Sequence, residues 1–217
     1  DLNGADNVTF NGLNSGGNSL TLDNTTVSAT SGTSTVRLQA DATSNLFTNI
    51  SINGASTMAT GTNGGNVWIG AGAINTGNDN NTFLKCKFGP SGSNLPAKCF
   101  YGNGTTTNST LYNSNIVIDQ CEFFDFFNVA VQSNAIYMTS GCTDWQIMNS
   151  KFYQTATRTQ TTAAANVAIQ LASVNINNTL ISGNTIGYAN AAGTGVYTLS
   201  STVATTFVGI SVSTGTG

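Results

Sequence analysis

Short runs in which apolar and polar residues alternate recur along this chain, each bounded by clusters of Gly, Asn, Ser or Thr. A period of two marks a strand with one buried face, whereas an amphipathic helix repeats every 3.6 residues. No segment of ten or more residues carries the helical period. The runs fall into two families. One comprises residues 35–38, 66–69, 98–101, 134–137, 166–169 and 206–210; the other comprises 48–52, 83–88, 118–123, 147–152 and 180–186. In the second family Ile52, Phe88, Phe123, Phe152 and Ile186 recur every 29 to 36 residues.

Two strands per repeat fit either antiparallel hairpins or successive sides of a coil. Hairpins favour spacers of about two to five residues, and most spacers here are longer and vary in length. A coil accommodates that variation, because each lengthened turn bulges outward while the strands keep stacking. The expected fold is therefore all-β: a right-handed parallel β-helix, or β-solenoid, of roughly six to seven coils, with residues 1–217 forming one body. Ile50/Ile52, Cys86/Phe88, Cys121/Phe123, Ser150/Phe152 and Asn184/Ile186 are expected to form two internal ladders, one a Phe and Ile spine. The neighbouring Cys, Ser and Asn ladder suits a tight inside corner, where amides hydrogen-bond along the stack. Residues 155–168, rich in Ala and Thr without an apolar stripe, are expected to form a loop.

Composition narrows the surface chemistry. Charged residues make up 7% of the chain, against about 25% in an ordinary domain, while hydrophobic residues stand at 39%, enough to build a core. A net charge of −3 with six Lys and Arg leaves no basic stripe for nucleic acid. No run approaches the ~20 apolar residues of a helical membrane span. The pattern is in full stride by Asp6-Asn7-Val8-Thr9-Phe10, without initiator Met or leader, which predicts an internal segment of a longer protein.

The repeat-bearing stretches run from Asn7 to Leu22, through Gly77-Asn78-Asp79-Asn80-Asn81-Thr82, through Gly141-Cys142-Thr143-Asp144-Trp145 with Phe152-Tyr153-Gln154-Thr155, to Ile181-Ser182-Gly183-Asn184-Thr185-Ile186-Gly187. In them the chain resembles the secreted right-handed β-helix repeat proteins of Bacteroidetes-type bacteria, within the pectin-lyase-like superfamily. These are framework motifs, specific for architecture. The resemblance implies a large, exported, multi-domain protein, often with a C-terminal sorting domain for the type IX route, and an extracellular or cell-surface location.

That superfamily contains polysaccharide hydrolases and lyases, so catalytic groups were sought. The hydrolases usually carry a Gly-His-Gly motif, and this chain has no histidine. Glycosidase chemistry needs two carboxyls about 5–10 Å apart. Asp119, Glu122 and Asp125 are the one local cluster; Asp119 and Glu122, three apart in extended chain, are expected on opposite faces. Solvated carboxylates near Lys85, Lys87 and Lys151 are the preferred reading. The lyases use calcium with an Arg or Lys base. Asp79 is the candidate calcium ligand, but an Asx-rich turn accounts better for Gly77 to Asn81, so no cofactor is expected. Arg37 and Arg158 lie in different contexts and form no clamp.

Trp68, Tyr101 and Tyr137 are the candidate ligand-binding residues, as an aromatic face that stacks sugar rings if it points outward. Phe124, Phe126 and Phe127 are expected to pack in a buried corner. The Thr runs lack the fixed register an ice-binding face needs. Cys86 and Cys121 share a ladder position and are read as buried free thiols, with Cys99 and Cys142 packing separately. The expected function is a non-catalytic structural or adhesive segment, meeting other β-helix segments or copies of itself through the solenoid ends, with a polysaccharide-binding or polysaccharide-degrading β-helix as the alternative.

Overall fold

Each alternating run forms a strand whose backbone partners lie in the equivalent runs one repeat before and after it, because only that arrangement buries every apolar face against its own kind. The computed structural model describes residues 1–14, 17–18, 20–59, 63–173 and 175–213. Ser15, Gly16 and Ser19, within the first of the repeat-bearing stretches, and Thr214 to Gly217, where the pattern fades, lie outside the described residues.

Three sheets wrap the core. The first runs through Leu2–Asn3, Thr33–Gln39, Gly64–Ile69, Lys98–Gly102, Ser133–Met138, Ala164–Leu171 and Thr205–Val212. The second contains Thr9–Asn11, Leu46–Thr48, Thr82–Leu84, Val117–Asp119, Gln146–Met148 and Leu180–Ser182. The third contains Leu20–Ser28, Ile50–Ser56, Lys87–Pro90, Glu122–Phe124, Lys151–Tyr153 and Thr185–Tyr188. Neighbours in all three pair in parallel. The fold is an all-β parallel solenoid of about five turns, slightly fewer than the six to seven expected. At one extreme of the first sheet Leu2–Asn3 is only two residues long, and at the other Thr205–Val212 has no counterpart in the other two sheets among the described residues.

Register aligns the inward positions into continuous stacks. Phe10, Phe47 and Phe83 lie face to face at 4.9 and 4.7 Å. Phe88, Phe123 and Phe152 do the same at 4.6 and 5.0 Å. Apart from Phe10, these rings are at most 1% exposed. Each such contact adds about 0.5–1.5 kcal/mol beyond the area it buries. Phe126 and Phe127 are buried, and the Phe124 ring stacks on Tyr153 at 5.6 Å, so that aromatic cluster packs against its own turn and the next.

The chain bends between sheets through single residues in the left-handed region. At the bend entering the second sheet these are Asn7, Ser44, Asn80, Asn115, Asp144 and Asn178, with φ from 52° to 60°. At the bend entering the third sheet they are Asn49, Lys85, Gln120, Asn149 and Gly183, with φ from 49° to 68°. Asn and Gly tolerate this conformation best. Its use here reverses the strand alternation: Asp119 and Glu122 flank the left-handed Gln120, and both lie outward of the buried Ile118, Cys121 and Phe123. The expectation of opposite faces fails because it assumed unbroken extended chain.

Amides do stack inside, chiefly at the bend into the second sheet. Asn45 Nδ2 donates to Asn81 Oδ1 at 2.9 Å, and Asn78 Nδ2 donates to Asn113 Oδ1 at 3.0 Å. At the other bend the small-residue ladder carries Cys86, Cys121 and Ser150, and Asn184 Oδ1 accepts from Ser150 N at 2.8 Å. The stretch expected as a loop also contains a strand. Arg158–Gln160 pairs with Leu199–Ser201 in parallel, since an outward excursion that recurs on the next turn can stack as the core does.

Candidate functional site

The solenoid's outer surface derives from the residues that alternate with the core. On the first sheet Arg37, Trp68, Tyr101, Tyr137 and Gln170 occupy equivalent positions on successive turns. Their neighbours Leu38, Ile69, Phe100 and Ile136 belong to the core, which turns this row away from it. The Tyr101 and Tyr137 rings stack at 5.3 Å and 12°. The row faces outward, yet loops roof part of it: Tyr101 is 1% exposed and Tyr137 9%. Tyr101 therefore has little face to offer a ligand, and of the three aromatic residues Trp68 is the one that lines a groove.

Beneath that roof lies a group the sequence reading did not single out. Lys98 is fully buried; its Nζ donates to the Ala59 carbonyl at 2.7 Å and sits 4.2 Å from the Tyr101 ring centre. Burial pulls its amine down to about 7, while the ring face and the carbonyl favour the charged form. The signal was a lysine directly before the buried run Cys99-Phe100-Tyr101.

Trp68 lines a groove of about 420 Å³ together with Asn3, Gln39, Asn63 and Asn103. Asn103 Nδ2 donates to Asn63 Oδ1 at 3.0 Å and Thr139 Oγ1 donates to Asn103 Oδ1 at 2.9 Å, so the amides are held in place across turns. The indole Nε1 is buried without a partner among the described residues. An apolar ring beside planar amides, each both donor and acceptor, matches the C–H face and hydroxyl rim of a sugar. Asn3 and Gln39 end strands of the first sheet and Asn63 and Asn103 lie between strands, on different turns, which no local pattern reveals.

A second groove, of about 390 Å³, follows the bend into the third sheet and includes Lys85, Lys87, Gln120, Glu122, Asn149 and Lys151. Its lining carries three lysines and one carboxylate, Glu122. Lys87 Nζ lies 3.8 Å from Glu122, which also accepts from the Tyr153 hydroxyl at 2.9 Å, and Asp119 accepts from Asn149 at 2.8 Å. Asp125 instead holds Arg158 and the Thr155 backbone and hydroxyl. The three clustered carboxylates thus serve three separate sets of partners. Arg37 pairs with Asp1 at 3.4 Å, remote in sequence from the Arg158 pair.

At the candidate calcium ligand, Asp79 Oδ1 accepts from Ser114 N at 2.7 Å, and burial pushes its carboxyl above the usual range. Asn78 and Asn81 turn their side-chain oxygens inward to the Ala42 and Asn45 amides. These three side-chain oxygens each accept from a backbone amide of the bend. All four cysteines are buried free thiols. No family model, curated protein or solved structure matches this chain.

Proposed function

We propose that this chain is a non-catalytic structural and adhesive segment of a secreted or cell-surface bacterial protein, in which the stacked rod is itself the working part. The observation that carries this reading is the persistence of the core ladders to the outermost rungs. Phe10 and Leu22 at one side, and Ile181 and Ile186 at the other, pack on the core yet remain partly exposed. An outermost strand also presents N–H and C=O groups to a further strand. The two faces run parallel and carry the same ladder order, Phe10 matching Ile181 and Leu22 matching Ile186 through the intervening rungs. The first rung of a second copy therefore fits the last rung of this one, apolar on apolar. The neutral, amide- and hydroxyl-rich surface and the likeness of the repeat motifs to secreted β-helix proteins support the extracellular setting.

Sedimentation velocity over a concentration series tests the stacking. The wild type is expected to grow in mass with concentration, and Ile210→Lys, which puts a charge on the half-exposed last rung, to remain monomeric. A wild type that stays monomeric throughout contradicts the reading.

The Trp68 groove favours a second reading, polysaccharide binding, compatible with adhesion. A glycan array probed with wild type and Trp68→Ala decides it. Signal on neutral glycans that the variant loses supports the reading, and a blank array for the wild type removes it.

A further inference from the structure

One ladder position inside the solenoid puts sulfur beside sulfur. Cys86 and Cys121 each follow a left-handed residue, Lys85 and Gln120, at the bend into the third sheet on consecutive turns. Glu122 N donates to the Cys86 carbonyl at 2.9 Å, and Lys87 pairs with Glu122, which fixes their register. Both side chains belong to the core. Cys86 Sγ also donates to the Phe47 carbonyl and Cys121 Sγ to the Phe83 carbonyl, each at 3.3 Å. Stacked strands lie about 4.7–4.9 Å apart, inside the ~4.4–6.8 Å Cα separation that a disulfide spans. The other two thiols stand apart: Cys99 Sγ donates to the Phe88 carbonyl at 3.8 Å, and Cys142 pairs in register with Asn113 and Ile176.

We propose that Cys86 and Cys121 are a cross-turn dithiol that a low-molecular-weight disulfide converts into a covalent staple between successive rungs. In the first step the Cys86 thiolate attacks one sulfur of the reagent RS–SR, forming a mixed disulfide and expelling RS⁻, which takes up a proton. In the second step Cys121 loses its proton and attacks Cys86 Sγ, expelling the other RS⁻. The protein is oxidised by two electrons and the reagent is reduced to two RSH, so atoms and charge balance.

The pair is asymmetric in the sense the sequence of steps requires. The adjoining Cys121 thiol draws Cys86 below its ordinary range, while burial pushes Cys121 up. Because both sulfurs face inward, exchange proceeds through local opening of this bend. The product closes the chain between residues 86 and 121 and locks the spacing of two turns.

The next turn supplies the control. Ser150 occupies the equivalent position and its Oγ accepts from Cys121 N at 3.1 Å, so serine is already accommodated in this ladder. The folded full chain, its Cys86→Ser and Cys121→Ser variants, and a Cys99→Ser/Cys142→Ser double variant are incubated with hydroxyethyl disulfide, a small uncharged reagent. Thiols are then counted after denaturation. The wild type is expected to fall from four thiols to two, the double variant to lose both of its remaining thiols, and each single variant to form no intramolecular disulfide. The oxidised wild type should melt roughly 5–15 °C higher than the reduced form. Four thiols persisting in the wild type, an intramolecular disulfide in Cys86→Ser, or a lower melting point after oxidation overturns the proposal.

Discussion

A middle turn and the last turn of this solenoid are written in the same alternating pattern and differ in what lies above them. In the middle, Phe88, Phe100, Ile118 and Phe123 have rungs on both sides and are completely buried. In the last turn the aligned residues Ile181 and Ile186 are only partly buried, Ile210, which aligns with Phe100, is 46% exposed, and Leu180 on the outer row is 47% exposed. In a solenoid, burial is a property of neighbouring rungs rather than of the sequence of any one rung. Among the described residues, the apolar side chains of the last turn are accordingly less fully buried than those of the middle. That difference motivates the proposal that stacking is the working activity.

The largest expected effect compares the two regions directly. Phe123→Ala should cost about 3–5 kcal/mol, since it removes a ring stacked on both sides, and Ile186→Ala less than half as much. Denaturant unfolding of both variants measures this, and equal losses would break the comparison. A step below comes the amide ladder. Asn81 accepts from Asn45 and donates to the Ala42 and Asn78 carbonyls, so Asn81→Ala strands buried groups and should cost about 3 kcal/mol. The half-buried Asn184, with fewer bonds, should lose about 1 kcal/mol on the same change.

Lys98 gives the middle turns a pH signature. Its folded value of about 7 lies below the ~10.4 of an unfolded lysine. Between those values the unfolded chain binds more protons, so stability rises with pH. The thermal midpoint should climb by roughly 2–4 °C from pH 7 to 9.5, the stacked Tyr101 ring offsetting part of the burial effect. Above pH ~10 the trend should reverse, because burial pushes tyrosines such as Tyr197 up to about 12 and the unfolded phenols ionise first. Lys98→Met should abolish the climb; a climb that persists assigns it to another group. The smallest effect concerns the bends. Gln120→Gly relieves a left-handed conformation and should stabilise by about 0.5–1 kcal/mol, as Gly183 already does in the last turn, whereas Gln120→Val should lose about 1–2 kcal/mol. Chemical denaturation separates the two signs.

How much of this was legible in the sequence follows from how local each cause is. The strands, the Phe and Ile spine and the shared position of Cys86 and Cys121 were readable, because alternation and a repeat of 29 to 36 residues are visible in one dimension. The placement of Asp119 and Glu122 was not, because a single left-handed residue at Gln120 resets the alternation without any glycine to announce it. The amide ladders lay in Asn45, Asn78, Asn81 and Asn113, which read locally as turn residues and reveal their partners only across turns. The alignment of Tyr101 with Tyr137 was readable, but the burial of Lys98 was not: its partner, the Ala59 carbonyl, lies 39 residues away in the chain. Framework is periodic and therefore readable, and so is the groove along the bend into the third sheet, whereas the Trp68 groove also draws Asn63 and Asn103 from between the strands.

The most direct test of stacking is native-state hydrogen exchange followed residue by residue at low and high chain concentration. Amides in Lys98–Gly102 and Glu122–Phe124, interior to their sheets, should exchange slowly at both. Amides in the outermost strands Thr205–Val212 and Leu180–Ser182 should exchange fast in dilute solution and slow specifically as concentration rises. Protection of those two strands that is independent of concentration would contradict the account.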